Sequence, residues 1–297
     1  MRAIRSALDQ TYPDIEVIVS DDTSTDDTVA RVRALNDTRV MLFAQKQRLG
    51  LVSNFDFCLR HASGEFFLLL GDDDFLLPDA IERLVEPFRD ANGGAIGVAW
   101  CPCEIADAKN IKFWVTEAGP PRESPASLLA ALWAGNRGPR LSGILLRSQD
   151  AIAVGGYENK YGDLCDIGNW GQVALLYEQV ACVPESLVRY TQHHGSTTSN
   201  SAVTQWQNWA RIVHADLIAI ARSRGNKKAE QELRSAKSNF ISGITLTILI
   251  QTIGKSGWVR NAAWQALRTP NAIFTLYMLR RLIKDGSKVF ALRRGSK

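Results

Sequence analysis

The chain has 297 residues, of which 45% are hydrophobic and 22% are charged. This is enough apolar material for one large domain or for a domain with an appendage, and it excludes collagen-like and disordered proteins. Five cysteines, an odd number in so long a chain, argue against a disulfide framework and favour a reducing compartment.

The net charge of +4 conceals two regions of opposite sign. Residues 221–297 contain 16 Lys and Arg against 3 Asp and Glu, whereas residues 1–220 contain 19 against 28. An acidic body therefore precedes a basic C-terminal segment.

The first eight residues predict an amphipathic helix without the apolar core of a signal peptide, so we expect a cytoplasmic protein. From residue 15 to residue 101, short β-rich runs alternate with helical segments, which predicts an α/β fold with a mostly parallel sheet flanked by helices. The candidate strands are residues 15–20, 39–43, 65–70 and 95–100.

Residues 105–125 combine charge with Gly119 and the pair Pro120 and Pro121, which predicts a loop region ahead of a helix over residues 127–134. After Thr198 the periodicity becomes that of long helices. The candidates are residues 203–224, 227–253 and 272–284.

Acidic residues follow two of the predicted strands. Asp21 and Asp22 end the first strand, and Asp72, Asp73 and Asp74 follow the third. In a parallel sheet the carboxyl ends of the strands share one edge, where such folds bind ligands. Clustered carboxylates suit Mg²⁺ or Mn²⁺ bridging a diphosphate, although aspartate is also a common turn residue after a strand. No glycine-rich dinucleotide turn or P-loop is present, which disfavours NAD and mononucleotide-loop sites.

Two segments resemble family 2 glycosyltransferases of the GT-A fold: residues 7–28, ALDQTYPDIEVIVSDDTSTDDT, and residues 63–78, SGEFFLLLGDDDFLLP. The resemblance implies that Asp21 and Asp22 contact the nucleoside of a nucleotide sugar, and that Asp72 and Asp73 contact the sugar nucleotide. It also implies a divalent metal, Mn²⁺ or Mg²⁺, on Asp74 together with Asp72 or Asp73, with Asp72 and Asp74 in the spacing of the family's metal-binding pair. The family more often has aspartate where this chain has Gly71.

A third segment, residues 142–170, resembles the region of the same family that carries an acidic pair before a short helix. By that resemblance Asp166 is the general base of an inverting sugar transfer, and Asp163 is the alternative base. Cys165 takes the position of the first acid of the pair. Taken alone, Asp166 would more often be a helix N-cap than a catalyst.

Residues 187–198 resemble the family's segment after its last strand, and by that likeness His193 would join the metal ligands. Two adjacent histidines in a Gly, Ser and Thr loop are as readily explained as solvated side chains.

The resemblance covers about residues 2–200, interpreted as the GT-A catalytic domain, with residues 201–297 as a helical, basic C-terminal region. Family members normally begin with an apolar strand that touches the nucleotide base, whereas this chain opens inside the helix that follows it. The catalytic domain is therefore expected to be incomplete at its N-terminus. Adding about 15–20 residues ahead of Met1 is then expected to raise soluble yield and donor binding.

The C-terminal region alternates aromatic rings such as Trp258 and Trp264 with cations such as Arg260 and Arg268. Such a segment can lie on the anionic inner face of the cell membrane, or it can pack on the catalytic domain with a solvated basic face. Nucleic acid is disfavoured, because no recognised binding motif is present.

The sequence thus favours a metal-dependent inverting transfer of sugar from a nucleoside-diphosphate sugar to a hydroxyl of a glycan or lipid-linked glycan, in cell-envelope polysaccharide synthesis. The alternative is a non-catalytic nucleotide-sugar-binding or scaffold protein of an envelope-assembly complex. Nucleotidyl transfer is a third reading, but it usually requires a glycine-rich first loop with Lys or Arg, and none is visible.

Overall fold

The computed structural model describes residues 1–90, 94–134, 137–192 and 203–251. The strands, in chain order, are β1 Val17–Asp21, β2 Val40–Ala44, β3 Phe66–Leu68, β4 Phe75–Leu76, β5 Ile96–Trp100, β6 Cys103–Asp107, β7 Lys112–Val115, β8 Arg122–Glu123, β9 Ile144–Arg147, β10 Gln179–Cys182 and β11 Val188–Gln192. The helices are α1 Arg2–Leu8, α2 Thr28–Arg33, α3 Leu51–His61, α4 Ala80–Arg89, α5 Pro125–Trp133, α6 Ser148–Ala153, α7 Cys165–Leu175, α8 Val203–Ser223 and α9 Lys227–Gln251. Two short 3₁₀ segments span Leu141–Gly143 and Asn159–Leu164.

The strands form three sheets. β1 pairs with β2, a five-stranded sheet has the order β3, β9, β5, β10, β8, and a four-stranded sheet has the order β4, β11, β6, β7. β5 lies at the centre of the five-stranded sheet, and all five of its residues are buried. Its continuous apolar sequence follows from burial on both faces.

The α/β class and the helices around the sheets are confirmed, but the expectation of a mostly parallel sheet is wrong in its pairing. In the described residues, β1 with β2, β5 with β10 and β6 with β11 pair in parallel. β9 enters antiparallel between β3 and β5, and β4, β7 and β8 are antiparallel edge strands. The five-stranded and four-stranded sheets are therefore mixed, as is common when edge strands are added to a parallel core.

The four predicted N-terminal strands are confirmed within one or two residues of their bounds. The predicted loop over residues 105–125 is wrong, because it contains most of β6, all of β7 and β8. Strand β7 pairs antiparallel with β6, with a register shift between Ile105 and Ala106. These strands are short, and β6 and β8 have distant partners in β11 and β10, so the local Gly and Pro signals dominated the prediction.

Helices α8 and α9 confirm two of the three predicted C-terminal helices, and residues 272–284 lie outside the described residues. The two helices pack on α5 and α7, and their apolar side chains Leu217, Leu233 and Phe240 join the same buried cluster as Val98 and Trp100 of β5. Residues on both sides of the boundary predicted at residue 200 thus share one buried cluster, and the division into two regions stays a prediction. Among the described helices, none combines the length and apolarity needed to cross a bilayer.

Candidate active site

The first acidic loop is held by backbone donors. Asp21 is the last residue of β1 and is buried, and its Oδ2 accepts a hydrogen bond from the Ser24 backbone N–H at 3.0 Å. Asp22 accepts from the backbone N–H groups of Leu49 at 2.5 Å and Gly50 at 3.0 Å, one on each carboxylate oxygen. Asp22 thereby fixes the turn that leads into α3.

The second acidic loop, Gly71 to Asp74, presents its three carboxyl groups differently. Asp72 is exposed and Asp73 is half-buried, whereas Asp74 is only 1% exposed. Asp74 Oδ2 accepts from the Ser142 hydroxyl at 2.5 Å, and its Oδ1 accepts from the Thr191 backbone N–H at 2.8 Å. Both oxygens of Asp74 are thus engaged by the protein itself.

Burial raises the pKa of Asp74 to about 6, although the hydrogen bonds from Ser142 and Thr191 oppose that rise. The neighbouring charges of Asp73 and Asp72 raise it further. A carboxyl with this environment joins the loop to β11 and to the 3₁₀ segment Leu141–Gly143. The hydrogen bonds hold Asp74 on the interior side of its loop, and its role as a metal ligand stays a prediction.

Gly71 has a steric explanation in the same loop. A Cβ atom at this position would lie 3.0 Å from Asp73 Oδ1 and 3.1 Å from Asp74 Oδ2. A larger side chain would therefore push against two carboxylates, so the glycine allows them to fold back over the backbone. The loop is also tied to the N-terminus, since Arg2 donates to the Asp73 carbonyl at 2.7 Å.

The predicted base lies at the start of α7. Asp166 is its second residue and is partly buried. Burial raises the pKa of Asp166 to about 6, against the opposing effects of the backbone N–H groups of Ile167 and Asp166 and of the positive charge of Arg140. Asp163 raises it further. A carboxylate with this pKa is ionised at neutral pH yet basic enough to accept a proton.

Cys165 occupies the position of the first acid of the expected pair, and its side chain is buried. Burial raises the pKa of its thiol, and the charges of Asp166 and Asp163 raise it further. The thiol is therefore protonated at neutral pH and adds no charge beside Asp166.

These three acidic segments line one cavity of about 1450 Å³. Asp21 and Asp22, then Asp72 to Asp74, and finally Asp163 and Asp166 all border it. Sequence reasoning missed Arg140, Tyr190 and Gln192, which also line it. Tyr190 and Gln192 lie in the segment of residues 187–198 that resembles the family, but only His193 was singled out there, and no local pattern marks Arg140.

Apolar side chains of β1 and β3, including Ile18 and Phe67, also line the cavity. These two strands belong to different sheets, since β1 pairs with β2 and β3 pairs with β9.

The described residues contain no group of three or more His, Cys, Asp or Glu side chains placed to hold a metal ion. The carboxylates of Asp72 and Asp73 have exposed surface at this loop, and Mg²⁺ or Mn²⁺ commonly binds through one or two carboxylates together with substrate phosphates. His193, predicted as a further ligand, lies outside the described residues.

Solved structures share this architecture. The mannosyltransferase PcManGT of Pyrobaculum calidifontis, in complex with GDP-Man and Mn²⁺, has a TM-score of 0.51 at 16% identity, over 95% of this chain and 81% of its own. TarS of S. aureus residues 1–349, in complex with UDP, has a TM-score of 0.51 at 13% identity, over 83% and 85%. At these identities the likeness concerns the fold, which is that of GT-A glycosyltransferases.

Residues 1–112 match the sequence profile of glycosyl transferase family 2. The GalNAc(5)-diNAcBac-PP-undecaprenol beta-1,3-glucosyltransferase of Campylobacter jejuni is 38% identical over 99 residues, which are 32% of each chain. The matches to three curated relatives span 65%, 13% and 32% of the relatives' own length.

Proposed function

We propose that this protein transfers a sugar, with inversion, from a nucleoside-diphosphate sugar to a hydroxyl group of an acceptor. The observation that carries the proposal is the convergence of three acidic segments on one cavity, although they lie far apart in the sequence. Binding a nucleotide, holding a metal and removing a proton are the three tasks that such a transfer requires.

Asp21 and Asp22 take the nucleoside end of the donor in this proposal. Each ionised carboxylate offers about four lone-pair sites, so Asp22 can accept further hydrogen bonds while it keeps the N–H groups of Leu49 and Gly50. Asp72 and Asp73 take the diphosphate end and the metal, since they are the members of their loop with exposed surface. Asp74 holds that loop from the protein interior in this proposal, through its hydrogen bonds with Ser142 and Thr191.

A Mg²⁺ or Mn²⁺ ion on Asp72 and Asp73 would neutralise the charge that develops on the departing diphosphate. Asp166 accepts the proton of the acceptor hydroxyl. The hydroxyl oxygen then forms a bond to the anomeric carbon from the face opposite the diphosphate, while the bond between that carbon and the diphosphate oxygen breaks. Attack from the opposite face inverts the configuration at the anomeric carbon.

The acceptor is a glycan or a lipid-linked glycan in this proposal, in cell-envelope polysaccharide synthesis. The support is the similarity to a glucosyltransferase named for an undecaprenol-linked substrate. Peripheral contact with the inner face of the cell membrane would come from the basic residues 252–297, which lie outside the described residues.

Calorimetric titration of UDP, GDP and dTDP, with and without Mn²⁺, tests the donor site. We expect one nucleotide to bind in a Mn²⁺-dependent manner, and Asp72→Asn to remove that dependence. Asp79→Asn is the matched control, because Asp79 is an exposed aspartate near the same loop that does not line the cavity. Absence of binding to all three nucleotides would contradict the donor site.

The alternative function, a non-catalytic nucleotide-sugar-binding or scaffold protein, makes a different prediction for turnover. It expects metal-dependent nucleotide binding without release of sugar from any donor. Measuring donor hydrolysis alongside the titrations separates the two functions.

A further inference from the structure

Helix α8 contacts three consecutive residues of the segment that leads to Asp166. Asp216 of α8 accepts a hydrogen bond from the Tyr161 hydroxyl at 2.7 Å and forms an ion pair with Lys160 at 2.9 Å. The next residue, Gly162, has a φ of +51°, and a Cβ there would lie 2.0 Å from Cε2 of Trp209. The indole of Trp209 on α8 therefore packs directly on the backbone of this segment.

Tyr161 links this contact to α7. Its side chain is fully buried, and its hydroxyl accepts a hydrogen bond from Gln172 Nε2 of α7 at 3.0 Å. Its ring also lies against Gly168, where a Cβ would approach Cδ2 of the ring to 2.5 Å. Tyr161 is thus enclosed by α7 and α8 together, directly ahead of Asp163 and Asp166.

The pKa values of Lys160 and Tyr161 support the contact between this segment and Asp216 of α8. Burial lowers the pKa of Lys160, but its hydrogen bonds to Asp216 and Glu158 outweigh that effect and raise its pKa above the ordinary value. Burial raises the pKa of Tyr161, and its hydrogen bond to Asp216 raises it further. Both donors to Asp216 therefore stay protonated over the whole physiological pH range.

We propose that α8 is a strap that fixes the segment of Asp163 and Asp166, and that Asp216 is a positioning residue for the transfer. The inference rests on the proposed function, in which Asp166 removes the acceptor proton. Proton transfer and attack need the reacting groups to be held in place, and a displacement of about 1 Å can cost about 100-fold in rate. Asp216 touches neither donor loop, so its effect falls on the base and not on nucleotide binding.

The test compares Asp216→Ala and Asp216→Asn with a matched control, Glu230→Ala. Glu230 forms ion pairs with Arg222 and Arg234, each at 2.9 Å, on the exposed side of the α8 and α9 pair. The control thus removes an acidic residue with two cationic partners from the same helical pair, away from residues 160–162.

We expect Asp216→Ala to lower kcat about tenfold while nucleotide affinity changes less than about twofold. Asp216→Asn keeps an oxygen for the Tyr161 hydroxyl and should recover most of the lost kcat, and Glu230→Ala should retain kcat. An unchanged kcat in Asp216→Ala, or equal losses in Asp216→Ala and Glu230→Ala, would overturn the inference.

Amide hydrogen exchange of residues 159–166 separates this inference from the proposed function. If α8 is the strap, exchange in this segment rises about tenfold in Asp216→Ala and stays unchanged in Glu230→Ala. A wild-type protein that releases no sugar would refute the proposed function. The amide exchange of residues 159–166 would then still test whether α8 fixes this segment. Unchanged exchange in Asp216→Ala would refute the strap whatever the activity.

Discussion

Replacing Asp74 distinguishes a buried supporting carboxylate from a metal ligand. Asp74→Ala removes both carboxylate oxygens of Asp74. The Thr191 backbone N–H then loses its acceptor at 2.8 Å, and the Ser142 hydroxyl loses its acceptor at 2.5 Å. Each buried donor without a partner costs about 1–3 kcal/mol, so the two together predict a loss of about 2–6 kcal/mol in the free energy of unfolding.

Asp74→Asn should behave differently, because the amide satisfies the same partners without a charge. Its oxygen can accept from the Thr191 N–H, and its NH₂ can donate to Ser142 Oγ, which also accepts from the Gly71 N–H at 3.0 Å. We expect a loss below about 1 kcal/mol at neutral pH.

The pH dependence of the free energy of unfolding shows at which pH the burial of Asp74 stabilises the folded protein. A pKa of Asp74 raised from 3.8 to about 6 corresponds to about 3 kcal/mol. Because the folded-state pKa is the higher one, this stabilisation is fully present below about pH 4 and is lost as the pH rises through about 6. Relative to Asp74→Asn, the wild type should therefore lose about 3 kcal/mol between these limits.

Urea denaturation at a series of pH values measures the stability losses of the two Asp74 variants and their pH dependence. Nucleotide titration with and without Mn²⁺ measures whether the donor site still binds metal. A supporting carboxylate predicts that Asp74→Asn weakens nucleotide binding by at most about tenfold, whereas Asp72→Asn abolishes its Mn²⁺ dependence. The reasoning would be refuted if Asp74→Asn folded normally but lost metal-dependent binding completely, since Asp74 would then be a ligand.

Two further changes report on charge at the site and in the helical region. Arg140→Gln removes a positive charge that lowers the pKa of Asp166. The acidic limb of the pH profile of kcat should therefore move to higher pH, and an unmoved limb would contradict this electrostatic effect. Burial lowers the pKa of His214, whose Nε2 lies 2.9 Å from the Leu233 carbonyl of α9. Its stabilising effect is present above about pH 6.5 and is lost as the pH falls, and His214→Gln should remove this part of the pH dependence of unfolding.

The positions of the strands and their acidic ends could be predicted from the sequence because both signals are local. Residues 15–20 form an apolar run that ends at Asp21 and Asp22, and β1 follows that run within two residues of its bounds. The same holds for the acids after β3. Acidic residues at strand ends that share a cavity follow from the connectivity of α/β units.

The roles of consecutive aspartates could not be predicted, because burial is decided by distant partners. Three aspartates in a row look alike in the sequence, yet Asp74 is selected for the interior by Ser142 and Thr191, which are 68 and 117 residues away. Arg140 reaches Asp166 in the same nonlocal way. Strand β8 was missed because its partner β10 lies in a distant segment. Strand β7 pairs with the nearby β6, but its four residues were outweighed by the charge, Gly and Pro signals of residues 105–125.

The most direct test of the proposed site compares Asp166→Asn with the wild type in two assays, Mn²⁺-dependent nucleotide binding and release of sugar from the donor. We expect Asp166→Asn to bind nucleotide within about twofold of the wild type, because Asp166 lies on a different segment from the donor carboxylates, and to lose about 100-fold or more in turnover. Turnover equal to that of the wild type would contradict the assignment of Asp166 as the base.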